Sequence, residues 1–159
     1  MVLLKLYDTT MKTFTSLLFV LFSFTLPAFA EDNCSVSLDA NDRMQYSTDQ
    51  IQISRKCDKV TITLNHTGAL PKTIMGHNIV ITEQSAMQSV VSQSAKMGLN
   101  NNYIDSDNAS IIAASAVAGG GESVTISINP LQFEKDKSYV FFCAVPGHFA
   151  GMQGTVKVI

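Results

Sequence analysis

The segment Val60-Thr61-Ile62-Thr63-Leu64 alternates apolar side chains with threonine, and Ser123-Val124-Thr125-Ile126-Ser127-Ile128 repeats the pattern. A period of two places every apolar side chain on one face of a strand, whereas a helix of period 3.6 would scatter them. A strand with one greasy face must bury it against a second layer. Weaker alternation marks Ser35-Val36-Ser37-Leu38 and Ile51-Gln52-Ile53-Ser54. Branched or aromatic runs occupy Asn78-Ile79-Val80-Ile81-Thr82, Tyr139-Val140-Phe141-Phe142-Cys143 and Thr155-Val156-Lys157-Val158-Ile159. Turn residues separate them: Asn65-His66-Thr67-Gly68, Pro71-Lys72, Gly119-Gly120-Gly121, Asn129-Pro130 and Pro146-Gly147. Short strands so punctuated predict an all-β sandwich.

One segment departs from this period. Residues 83–99 carry apolar side chains at Met87, Val90, Val91 and Met97, with Gly98 as a stop, which predicts one short helix outside the sandwich. Residues 100–109 are rich in Asn and Asp and read as loop. There is no internal repeat and no interdomain linker, so the pattern is that of one domain.

The N-terminus carries a different signal. Residues 14–26 form an uncharged apolar run, preceded by Lys12 and followed by Ala28-Phe29-Ala30. A basic start, a short apolar stretch and an A-x-A site predict an export signal cleaved after Ala30. The run falls short of the roughly 20 residues a membrane span needs, so no stable membrane insertion is expected after cleavage. Met11 stands directly before Lys12 and is an alternative start. The working domain is then 31–159. The formal net charge of -2 gives no basic face for nucleic acid. A domain of about 130 residues buries roughly two thirds of its unfolded surface and needs no framework of several disulfides.

An exported protein with three cysteines has one left over. If Cys34 and Cys57 were paired, they would close a loop of about 24 residues, worth roughly 3 kcal/mol. Cys143 would then be the free thiol, and a free thiol in an oxidising compartment is oxidised unless buried or bound. It sits in Cys143-Ala144-Val145-Pro146-Gly147-His148-Phe149-Ala150-Gly151-Met152. A loop between two strands can fold back so that Cys143, His148 and Met152 converge. Thiolate, imidazole and thioether together suit copper better than magnesium, calcium or manganese. A trigonal copper site wants a second imidazole. Of the three histidines, His77 in Met75-Gly76-His77-Asn78 is the best placed, at the start of a predicted strand.

The mature chain resembles the azurins, the bacterial blue-copper branch of the cupredoxin family. The matching landmarks are Cys34-Ser35-Val36, Asn41-Asp42-x-Met44-Gln45, Leu70-Pro71-Lys72, Met75-Gly76-His77-Asn78, Phe141-Phe142-Cys143, Pro146-Gly147-His148 and Met152. The resemblance implies a Greek-key, cupredoxin-like sandwich or barrel. It implies that His77, Cys143 and His148 are equatorial ligands of one copper ion, with Met152 axial and the Gly76 carbonyl opposite. It implies a Cys34–Cys57 disulfide, and it makes Asn78 the asparagine that ties the two ligand loops together. His66 matches a histidine that is not a ligand. There are departures: the chain has no tryptophan, Ile79 stands where the family has a buried one, and Phe149 is bulky for its place.

The function implied is that of a non-enzymatic one-electron carrier in the periplasm, cycling between copper(I) and copper(II). Partners would be redox proteins such as c-type cytochromes or copper or haem reductases, docking transiently on an apolar patch of Leu70, Met75, Val145, Pro146, Phe149 and Ala150 around His148. The alternative is copper storage, delivery or protection against copper and oxidants, although the methionines are scattered. A Cys143/His148 or Cys143/His77 nucleophilic pair has no evident orienting carboxylate.

Overall fold

The structure is a computed structural model that describes residues 34–159. The expected signal sequence and its cleavage after Ala30 lie outside the described residues. The chain folds into two sheets. One is four-stranded, in the order β2-β1-β4-β7, from β1 Ser35–Asn41, β2 Gln45–Tyr46, β4 Val60–His66 and β7 Ser123–Ile128. The other is five-stranded, in the order β3-β9-β8-β5-β6, from β3 Gln50–Ile53, β5 Val80–Glu83, β6 Ile111–Ala114, β8 Tyr139–Phe142 and β9 Gln153–Val158. β1 runs parallel to β4 and β3 parallel to β9; the other pairings are antiparallel. This mixed-sheet sandwich is the architecture that the alternating segments predict.

The alternation of β4 is realised residue by residue. Val60, Ile62, Leu64 and His66 are buried, while the residues between them are half-buried. Val60, Ile62 and Leu64 meet Leu38, Ile51, Ile79 and Phe141 in the main core. β8 is buried at every position. Its second face is covered by the helix α2, Met87–Met97, whose Val90 packs with Val140, Phe142 and Ala144. A strand buried on both faces reads as a continuous apolar run, which is why Tyr139-Val140-Phe141-Phe142 lacks alternation. The helix ends at Gly98, whose φ of 68° suits a residue without a side chain. Among the described residues no helix is long and apolar enough to cross a membrane.

His66 is the last residue of β4 and is buried, because its ring nitrogens find backbone partners inside the fold. Two local readings differ from the structure. The strand expected from Asn78 begins at Val80, because His77 is held in an isolated bridge with Ala118 and the Ile79 amide bonds to the Ser115 hydroxyl. β2 and β6 were not anticipated; two residues carry no period, and Ile111-Ile112-Ala113-Ala114 is half-buried throughout. Cys34 and Cys57 are joined in a disulfide across a separation of 23 residues, and Cys143 is free and buried.

Candidate metal centre

Two segments meet at one end of the sandwich. Residues 76–79 lead into β5, while Cys143 follows the last residue of β8. Gly76 has no room for a side chain: a Cβ there would lie 2.4 Å from Val117 Cγ1 and 2.5 Å from the Lys72 carbonyl oxygen. The chain therefore enters His77 pressed against the one-turn helix α1, Lys72–Met75. After Cys143 the chain turns through Pro146 and Gly147, whose φ of 86° is in the left-handed region, and so carries His148 back toward Cys143. The Cys143 amide then bonds to the Met152 carbonyl at 3.0 Å, and the Met152 amide to the His148 carbonyl at 2.9 Å. These two bonds close the loop and set Met152, wholly buried, beside Cys143.

His77, Cys143 and His148 offer three ligand atoms that all lie within 4.8 Å of one another. His77 Nδ1 and His148 Nδ1 face each other at 3.2 Å, and Cys143 Sγ lies 4.0 and 3.7 Å from them. The His77 Nε2–H donates to the Asn41 carbonyl at 2.9 Å, which leaves the Nδ1 lone pair pointing into the cluster. The His66 ring stacks on the His77 ring at 4.7 Å. Because His66 Nδ1 accepts from the Gly68 amide, its Nε2–H donates to the Met75 carbonyl at 2.7 Å. His66 thus faces away from the cluster and braces His77.

Asn78 does the tying. Its side-chain oxygen accepts the Ala144 amide at 2.9 Å, and its amide donates to the Asn102 carbonyl at 2.8 Å. Asn102, with φ 53°, in turn accepts the Val117 amide on its own side chain. Asn102 gave no signal in the sequence beyond lying in an Asn-rich loop. Asn41, Asn102 and Tyr46, all of which touch this network, were not singled out as site residues.

Burial keeps the groups of this site uncharged. Burial pushes the Cys143 thiol up to about 11, opposed by the Asn78 and Val145 amides and the Tyr46 hydroxyl. Burial holds His77 down to about 4, and the neighbouring His148 and His66 push the same way, while the Asn41 carbonyl opposes them. His148 is lowered by burial as well. Without a metal these groups are a thiol and neutral imidazoles; a soft cation would draw out the thiolate and use lone pairs already aimed inward. Because His77 sits below its unfolded value, the unfolded chain binds more protons between pH 6.5 and 4. The metal-free protein is therefore expected to lose stability as pH falls through that window and to gain nothing from His77 below it. Urea midpoints at pH 7, 5.5 and 4 check this, and the slope should be shallower in His77→Gln.

Around the loop, Leu70, Pro146 and Ala150 are exposed, while Met75, Val145 and Phe149 are half-buried. Val145 packs on the main core and Phe149 on the cluster beneath α2. His148 is only 7% exposed, so its loop is exposed but its ring is not. Met44, 40% exposed, was missed as a neighbour of this surface; its carbonyl would lie 3.5 Å from a Cβ on Gly151.

A single thiol and two imidazoles at the end of a mixed-sheet sandwich define a class. The model of the copper-binding plastocyanin/azurin family matches residues 32–159, and the chain belongs to that family. Within it, the similar relatives are azurins. The chain is 39% identical over 125 residues to azurin of Alcaligenes faecalis, covering 79% of this chain and 98% of that one. It is 40% identical over 126 residues to azurin-1 of Alcaligenes xylosoxydans xylosoxydans, with the same coverage. A solved azurin from the obligate methylotroph Methylomonas sp. strain J matches with a TM-score of 0.77 at 34% identity, covering 79% and 98% of the two chains.

Proposed function

We propose that this protein is a periplasmic blue-copper carrier that takes one electron from a redox protein and gives it to another. The observation that carries the reading is the convergence of one buried thiol and two buried imidazole nitrogens within 4.8 Å. His77, Cys143 and His148 would hold the copper, with the Met152 thioether and the Gly76 carbonyl as further, weaker donors. Copper, when bound, supplies a one-electron couple whose potential the weak axial ligand and the surroundings of the sulfur adjust.

The chain's own residues do the rest. Asn78 would hold the His77 and Cys143 segments in one arrangement in both oxidation states, so that little has to move when charge changes. His77 and Cys143, both 0% exposed, keep water out. His148, 7% exposed, brings the site nearest the surface. Leu70, Met75, Val145, Pro146, Phe149 and Ala150 would form the docking face for brief encounters with a c-type cytochrome or a copper or haem reductase. Residues 1–30 would act as a signal peptide removed after Ala30, leaving 31–159 as the working domain.

Stopped-flow mixing of the copper(II) protein with a reduced c-type cytochrome tests the role. Rapid reoxidation of the cytochrome, with the copper retained against a chelator, is expected. A protein that surrenders copper within seconds while electrons cross slowly would instead be a metal-delivery protein.

A further inference from the structure

Tyr46 is a polar residue in an apolar place. It ends β2, opposite Ala40 of β1, and packs on the main core. Its ring rests on Phe141 with centroids 5.4 Å apart. Phe141 can lie there because residue 154 is glycine: a Cβ would come within 2.5 Å of the Phe141 ring. Ring packing alone would be satisfied by a phenylalanine, which carries no polar group to accommodate. The hydroxyl therefore invites an explanation of its own.

That hydroxyl donates to the Asn78 carbonyl at 2.5 Å. Asn78 is the residue whose side chain holds Ala144 and whose backbone amide is directed at the Cys143 sulfur. The bond is partly buried, and away from bulk water such bonds are electrostatically strong. A fixed Asn78 in turn fixes how the His77 segment sits against Ala144, and the orientation that outer groups impose on ligands is one of the levers on a metal's potential.

We propose that Tyr46 is a positioning residue of the metal centre, whose hydroxyl holds the Asn78 backbone, and with it the tie between Asn78 and Ala144, in place. The inference rests on the blue-copper reading above. It assigns a role to a residue of β2, distant in sequence from both ligand segments.

Tyr46→Phe keeps the ring on Phe141 and removes only the hydroxyl. The expected result is a reduction potential moved from the wild-type value by the equivalent of about a fivefold change in the copper(I)/copper(II) ratio at fixed ambient potential, the effect of losing one hydrogen bond. The thiolate-to-copper absorption band should shift with it. Amide exchange at Asn78 and Val145, read by NMR on the diamagnetic copper(I) protein, should quicken. Incorporation of 3-fluorotyrosine, a stronger donor of nearly the same shape, should slow that exchange, and it serves also where Tyr46→Phe folds poorly. A potential and band identical to wild type, even with a lowered melting temperature, would mean that Tyr46 is only a packing residue. A wild-type protein without the band would remove the copper reading itself, a failure visible before any variant is compared.

Discussion

Cys143→Ser is expected to leave a folded sandwich that has lost its metal chemistry. The side chain is buried and its amide is bonded to Met152, so the loop is closed by backbone that the substitution does not touch. A serine hydroxyl is nearly the same shape and can hydrogen-bond to the His77 or His148 Nδ1, which lie within 4.0 Å of the sulfur position. The stability of the metal-free protein should therefore change little. Copper is another matter, because the soft thiolate is the donor that suits the copper(I)/copper(II) couple and a hydroxyl stays protonated. Changes outside the ligand shell typically cost about 10–100-fold in metal affinity, and loss of the thiolate should exceed that range. Competition with a chelator of known affinity measures the loss. An affinity within tenfold of wild type would mean that the sulfur is not a ligand.

Removing the disulfide should do the reverse, leaving the site intact while weakening the fold. Cys34 and Cys57 tie the start of β1 to the turn that precedes β4. These strands then run parallel in register from Ser35↔Thr61 to Ala40↔His66. At about 3.3 Å per residue, that register separates the disulfide by some 17 Å from the end where His66 meets His77. The double variant Cys34→Ser/Cys57→Ser is expected to lose roughly 3 kcal/mol, the value for a loop of this length. In thermal terms that is a fall of about 10–15 °C for a domain of this size. Denaturant unfolding of both metal-free proteins gives the first figure, and calorimetry the second. A loss below about 1 kcal/mol would mean that the unfolded chain gains little freedom from the cut. A change in copper affinity would mean that the two ends of the sandwich are coupled.

The legible parts of this molecule are those where one physical demand acts on each residue. β4 reads as a strand because Val60, Ile62 and Leu64 face the core while the threonines between do not. Gly98 reads as a helix stop because the backbone there takes a positive φ. Cys143, His148 and Met152 were found together because all three lie on one loop and their donor chemistry agrees. His77 needed the additional argument that a copper site wants a second imidazole. What stayed hidden is what depends on long-range approach. Nothing in Gln45-Tyr46 announces a strand, since its pairing with Ala40 and Asn41 belongs to the sheet as a whole. Asn102 serves the site through a carbonyl, an atom that every residue has. His66 stands at a strand end beside Thr67 and Gly68, and nothing there announces that its ring is sealed in by the Met75 carbonyl and the His77 ring. The docking face was read from apolar residues near His148, but Val145 and Phe149 are largely spent on packing the loop.

The phenylalanine at 149 has a physical place in this scheme. It packs on the cluster formed by Val90, Val140, Phe142 and Ala144, so its bulk reinforces the loop against the face that α2 covers. Ile79, wholly buried, fills the core beside the site without the donor that an indole would bring. Neither residue is among the proposed ligands, and Phe149 bears on how firmly the loop is held.

The most direct test is the visible absorption spectrum of the protein reconstituted with one equivalent of copper(II). If His77, Cys143 and His148 hold that ion with Met152 as a weak fourth ligand, the solution will be intensely coloured by a thiolate-to-copper band in the red. The band will bleach on reduction and be missing from Cys143→Ser. A stoichiometric copper(II) protein that is colourless, or whose colour survives Cys143→Ser, would contradict the account.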